Sequence, residues 1–228
     1  MATQVQICNT ALGFLGDLTQ VTSIYPSDGS YQANLCNAFY APAVAAILTM
    51  PDANWGFATM RTALTTTASS GTLWNAWQYT YAMPSDCVKA LEVFSPDAMD
   101  DYSQALQSAY TYDMTPIGQG YGIYTPQPFV IENDGSGNQI IYTNQETALL
   151  RYISNNVIEG LFPPFFTMAL AYYLAHMLAG PILKGDEGLS ASAKMLELMQ
   201  QQIAYGAVVD ANQKFTRVHQ NVPWVVQR

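Results

Sequence analysis

Between Phe162-Pro163-Pro164-Phe165 and Ala179-Gly180-Pro181 the chain encodes one helix with punctuation at both ends. Proline in a first turn needs no amide hydrogen and arrives with φ preset, while Gly180 suits a left-handed stop and Pro181 opposes continuation. The spacing predicts a helix over about 165–179. Phe165, Phe166, Met168, Leu170, Tyr172, Tyr173, Leu174, Met177 and Leu178, with alanines at 169, 171, 175 and 179, leave it almost no polar face. A helix apolar all round is enclosed by protein or by lipid. A membrane span takes roughly 20 apolar residues. This stretch is shorter, carries His176 and ends at Gly and Pro, so it is expected at the centre of a bundle or between its own chain and a neighbouring subunit.

Other segments can surround such a helix. Val5, Cys8, Ala11, Leu12 and Leu15 fall at helical spacing over 3–15, with Thr3 as N-cap and Gly16-Asp17 as the stop. A second helix is expected from about 30 to 49, capped from Ser27-Asp28-Gly29-Ser30 and bent at Pro42. Trp55, Phe57, Ala58, Met60 and Leu64, with Arg61 among them, are expected to form a bulky apolar turn, an aromatic knot that locks the helices together. A further helix over about 188–210 aligns Leu189, Ala193, Leu196, Met199, Ile203 and Ala207 on one face.

The middle of the chain has a different period. Trp74, Trp77, Tyr79 and Tyr81 alternate with smaller or polar residues, which reads as a strand ended by Met83-Pro84-Ser85-Asp86. Strands follow at 88–94, 129–132, 139–142 and 148–153, the middle two joined by Asn133-Asp134-Gly135-Ser136-Gly137-Asn138, a hairpin loop. Residues 95–128 read as a long loop or finger. The expected class is α+β. A bundle of about four helices, from 1–70 and 156–210, carries an inserted small antiparallel β domain at 71–155, and 211–228 forms an extended arm.

Composition narrows the function. Half the 228 residues are hydrophobic and 11% are charged, which is globular rather than disordered. Seventeen acidic against eight basic residues, a net charge of −9, argue against a duplex-wrapping surface. Cys8, Cys36 and Cys87 lack paired spacing and the N-terminus lacks the pattern of an export signal, so synthesis in a reducing cytoplasm is expected.

Catalytic signals are sparse. His176 lies on the apolar helix and His219 in the tail, neither with a sequence partner for nucleophilic or metal chemistry. Glu132 with Asp134, and Asp100 with Asp101, have the composition of acid/base pairs, yet turn and loop chemistry explain them. Gly118-Gln119-Gly120-Tyr121-Gly122 is followed by no lysine of a phosphate loop. No catalytic residue, metal ligand or cofactor is assigned.

An ordered series of motifs resembles a known family. It begins with Ile7-Cys8-Asn9-Thr10-Ala11-Leu12 followed by Leu15-Gly16, then Cys36 to Tyr40, then Trp55-Gly56-Phe57-Ala58 with Arg61 and Leu64. It continues with Trp77 to Cys87, Ile141-Tyr142-Thr143-Asn144, Leu150-Arg151-Tyr152-Ile153 and Leu161-Phe162-Pro163-Pro164-Phe165-Phe166. Over roughly residues 5–205 this resembles the head-to-tail adaptor (connector) proteins of tailed phages, of the tail tubular protein A type. The Tyr-rich loop at 102–124 and the C-terminus depart from that pattern.

The resemblance implies a structural virion protein. It would form a ring, usually of twelve copies, between the portal protein and a tail nozzle of the tail tubular protein B type. DNA would pass through without specific binding, and neither a membrane nor an enzymatic activity is implied. Two competing readings use residues that ordinary packing already explains: a tail-associated glycan hydrolase working through Glu132 or Glu146, and a glycan- or receptor-binding module with Trp74, Trp77 and the tyrosines as stacking platforms. Between Lys89 and Arg151 the chain has acids and no base, and Glu92, Asp97, Asp100, Asp101 and Asp113 are candidates to line a channel that repels DNA phosphates. In the tail, Lys214, Phe215, Arg217, Trp224 and Val225 are candidates for partner binding, since Pro223 favours an extended arm and Trp224 offers an anchor.

Overall fold

The computed structural model describes residues 2–51, 53–67, 77–96 and 126–212. Among these are the helices α1 (Gln4–Phe14), α2 (Tyr31–Leu48), α3 (Pro164–Leu183) and α4 (Gly185–Asn212). The strands are β1 (Thr59–Ala63), β2 (Tyr79–Ala82), β3 (Cys87–Phe94), β4 (Phe129–Asn133), β5 (Gln139–Thr143) and β6 (Leu149–Ser154). They form two three-stranded antiparallel sheets, ordered β1-β6-β3 and β2-β5-β4. The fold is therefore α+β with about four helices, as the periodicities predict.

Local chemistry sets the first two helices. At the start of α1 the Gln6 amide donates to Thr3 Oγ1 at 3.2 Å and the Thr3 amide donates to Gln6 Oε1 at 3.0 Å, a reciprocal capping box. Gly16, at φ 77°, lets the chain turn back so that the Asp17 amide reaches Leu12 O at 3.1 Å. Ser30 Oγ caps α2 by accepting from the Ala33 amide at 3.1 Å. Pro42 sits inside α2, on its exposed side, where water can serve the carbonyl that loses its partner.

The predicted stop of the central helix is corrected. Helix α3 runs through Gly180 and Pro181 to Leu183, and the reversal into α4 falls at Lys184 (φ 55°) and Gly185 (φ 59°). Pro181 removes a single amide donor near the helix end, a local cost that burial along the rest of α3 outweighs. Phe166, Leu170, Leu174 and Leu178 are fully buried, with Ala169, Ala175 and Ala179 between them. At 20 residues α3 has the length and hydropathy of a membrane span, but its main packing partners are α4, then α1 and α2. Helix α4 likewise begins earlier than expected, at Gly185, and Asp186 and Glu187 in its first turn suit the positive end of the helix dipole.

The chain divides into two compact units. The first holds residues up to Met60, Asp86–Lys89 and the chain from Ile153 through α4, and therefore all four helices. Its core gathers Ile7, Leu12, Ile24, Ile47, Leu48, Trp55, Phe166 and Leu170.

The second unit, among the described residues, spans 61–67, 77–85, 90–96 and 126–152. Its centre is β5. Tyr79–Ala82 pair with Thr143–Ile140 on one side, and Phe129–Asn133 pair with Thr143–Gln139 on the other. Ile141 is fully buried, while Val130 and Ile131 on the outer strand stay more than a third exposed. Residues 59–63, expected within an apolar turn, form β1 instead, because Thr59 and Thr62 suit a strand and Arg61 lies over the Phe94 ring at 5.4 Å. The expected strand from Trp74 is shorter than predicted in its described part, starting at Tyr79. Most of the expected long loop, including Gly118–Tyr124, lies outside the described residues.

Candidate functional site

Trp55 is the point where the helical unit is tied together. It follows the end of α2 and opens a 3-10 turn, Gly56–Ala58, so its indole turns back over the bundle. Nε1 donates to Ile47 O at 3.3 Å, and the ring meets the Phe166 edge with centroids 5.0 Å apart. Phe57 and Phe162 extend the cluster, each within 5 Å of the Phe166 ring centre. Glycines admit it: a Cβ on Gly206 would lie 2.8 Å from the Trp55 ring, and one on Gly56 would lie 2.8 Å from Asp210 Oδ1. That aspartate accepts from the Gly56 amide at 2.9 Å and holds the end of α4 to the turn. Gly188 lets α4 approach the Ala179 carbonyl, where a Cβ would sit at 3.0 Å.

Other motif residues are joints of the same kind. Asn9 both donates to Val21 O (2.9 Å) and accepts from the Val21 amide (2.8 Å), fixing the loop after α1. Asp86 accepts from Ser154 Oγ at 2.7 Å, and its carbonyl accepts from the Asn155 amide at 2.9 Å. Lys89 Nζ donates to Met50 O (3.1 Å) and Asn54 Oδ1 (3.0 Å), placing a cation just past the end of α2, where the helix dipole is negative.

The loop between α1 and α2 is organised by Asp28. Its carboxylate accepts from the Thr22 amide, the Thr22 hydroxyl and the Ser30 amide, at 2.8–3.0 Å. These bonds, the Thr22 amide foremost, hold the Asp28 carboxyl well below the usual carboxylate range. A depressed folded-state pKa stabilises the fold fully above the unfolded value, near 3.9, and that contribution is lost as pH falls through the folded value. The amides of Thr22 and Ser30 are therefore expected to keep their hydrogen-exchange protection at pH 4 and to lose it only in stronger acid, with the step missing in Asp28→Asn. Loss of protection already at pH 4 would contradict the assignment.

Residues with catalytic potential are otherwise engaged. His176 Nδ1 lies 3.0 Å from Ser192 O and 2.8 Å from Ser192 Oγ. In one tautomer Nδ1 donates to the carbonyl and in the other it accepts from the hydroxyl, and either way the ring is tied to Ser192 of α4. Tyr173 stacks on the same imidazole. Cys8 and Cys36 are buried, and the hydrogen bond between their side chains, with burial, pushes the Cys8 thiol up. Burial also raises Cys87, to about 11. The Cys8 and Cys87 thiols therefore stay protonated near neutral pH and are poor nucleophiles, while the same Cys8 hydrogen bond lowers Cys36, which is buried away from solvent.

The carboxylates separate likewise. Asp134 accepts from the Ser136 and Asn138 amides and from Asn138 Nδ2, which shapes the hairpin loop and lowers its pKa, the Asn138 side chain contributing most. Glu132 stands opposite Ile140, near that loop, whereas Glu146 follows the far end of β5. Both side chains are exposed, and the register does not bring them together. Glu92, a predicted channel residue, pairs with Arg151 Nη1 at 3.1 Å. Trp77 is half-buried. Asp97, Asp100, Asp101, Asp113 and Trp74, with His219, Lys214, Phe215, Arg217, Trp224 and Val225 of the tail, lie outside the described residues. Among the described residues no cluster of three His, Cys, Asp or Glu side chains is placed to hold a metal ion.

Sequence reasoning missed one surface. Ala204, Tyr205, Val208 and Val209 share the solvent side of α4, with Tyr205 60%, Val208 61% and Val209 41% exposed. The single apolar face predicted for α4 is corrected at its start, where Leu189 (71% exposed) and Ala193 face solvent, whereas Met199 and Ile203 are buried as expected; the 204/205, 208/209 spacing carried the signal that was missed. No protein-family model matches the chain, and no curated protein sequence matches it.

Proposed function

We propose that the chain is a structural virion protein, a head-to-tail adaptor whose copies form a ring joining a portal to a tail nozzle and framing part of a DNA ejection channel. The observation that carries this reading is the role of the residues in the ordered adaptor-like motifs. Asn9, Trp55, Gly56, Asp86, Phe162 and Phe166 all serve as joints between segments of one unit. Motif residues used in this way support a reading in which they hold a shape. A low-charge, aromatic-rich chain also suits a subunit with broad packed contacts. The protein is placed at the head–tail junction of the virion after assembly in the host cytoplasm. It needs no cofactor and touches no membrane, and DNA passes without specific binding.

The test is negative-stain imaging of the purified chain, alone and mixed with portal-bearing heads of the phage that encodes it. Rings seated on the portal vertex are expected in the mixture. Heads that remain bare at saturating protein would overturn the reading. Turbidity of purified peptidoglycan is expected to stay unchanged, and clearing that Glu132→Gln abolishes would establish the hydrolase instead.

A further inference from the structure

The face formed by Ala204, Tyr205, Val208 and Val209 is contiguous, apolar and on the last turns of α4. Scattered exposed apolar residues are ordinary on a protein surface, whereas a contiguous group at helical spacing marks a contact. Tyr205 is steered by Phe165 of α3, whose ring lies 6.4 Å away, so the face has a supported aromatic at its centre.

The chain that follows α4 has matching chemistry. Residues 213–228 include Val222-Pro223-Trp224-Val225-Val226, an apolar peptide that Pro223 biases toward an extended form. From Asp210 to Asn221 there is neither Gly nor Pro, and Asp210, Asn212 and Asn221 are the turn-tolerant residues there. Sixteen residues extended at about 3.3 Å each reach roughly 50 Å, enough to arrive at a second copy. Lys214 and Arg217 give the arm positive charge against a chain whose net charge is −9, which favours contact of the arm with the body of a chain.

We propose that the C-terminal arm of one copy docks on the Ala204–Val209 face of α4 in a neighbouring copy, with Trp224 as the anchor beside Tyr205. The inference rests on the oligomeric reading above but not on what the oligomer joins. It names the acceptor surface for the arm, and the contact is one that free chains make in solution.

Two single variants test it, Val208→Cys on the face and Val225→Cys in the arm, purified separately and mixed under mild oxidation. Val208 is 61% exposed, so its replacement leaves the core untouched. A disulfide-linked dimer is expected in the mixture at several-fold the yield of either variant alone or mixed with wild type. Trp224→Ala placed in the arm variant is expected to return the yield to that background. The inference is overturned if the mixture gives no dimer above background, or if the yield is indifferent to Trp224→Ala. It is equally overturned if a third protein carrying both Val208→Cys and Val225→Cys closes the disulfide within one chain while the mixture of single variants gives no dimer. The experiment contains no portal and no heads, so its failure is separate from a failure of the adaptor reading.

Discussion

Replacing Trp55 with alanine is expected to destabilise the helical unit by about 3–5 kcal/mol, the range for removing a large buried aromatic. The side chain is 1% exposed, touches Phe166 edge-on and donates its indole hydrogen to Ile47 O. Its loss opens a cavity that Gly206 cannot fill, because α4 has no side chain there. Urea unfolding followed by far-ultraviolet circular dichroism measures the effect without relying on tryptophan emission. A change under about 1 kcal/mol would show that the three elements meeting at Trp55 are held by other contacts, since one kcal/mol is typical of an unremarkable substitution.

The complementary change, Gly206→Val, adds volume at the same point. Even its first carbon would lie 2.8–2.9 Å from two atoms of the Trp55 ring and 3.3 Å from Phe165 Cβ, and valine adds two methyl groups beyond it. Valine is a better helix former than glycine by a few tenths of a kcal/mol, which would stabilise an unobstructed helix. Overpacking costs about 1–3 kcal/mol and sets the sign. A net loss of about 2 kcal/mol is expected, with α4 pushed off the joint and Tyr205 and Phe165 separated. A variant as stable as wild type in the same urea titration would mean that the ring has room to shift.

The starts of α1, α2 and α3 were legible because each begins with local chemistry that a sequence displays, whereas the start of α4 at Gly185 was missed. Thr3 with Gln6, Ser30 before Tyr31, and Pro163-Pro164 before Phe165 are all short-range signals. The end of α3 was misplaced because Gly180-Pro181 is a local rule, whereas the helix is held to Leu183 by burial over its earlier turns. The β4–β5 hairpin could be read from Asp134-Gly135, but β1 was hidden among bulky residues that serve equally in a turn. That the strands split into two sheets is long-range information with no period to betray it. At the level of the site, Trp55 was visible as an aromatic cluster, while Gly206 and Asp210, distant in sequence, carried no mark of being its neighbours.

The order in which the helical unit is written along the chain has a consequence for synthesis. Helices α1 and α2 leave the ribosome first, yet the helix that covers their buried faces begins only at Pro164, after both sheets have been made. At about 5–20 residues per second, the interval from Leu48 to Pro164 lasts on the order of ten seconds. Throughout it Leu12, Ile47 and Leu48 lack the partner that will enclose them. A nascent chain in this state is a natural client for a holding chaperone, and the unit closes only once its last two helices have been made.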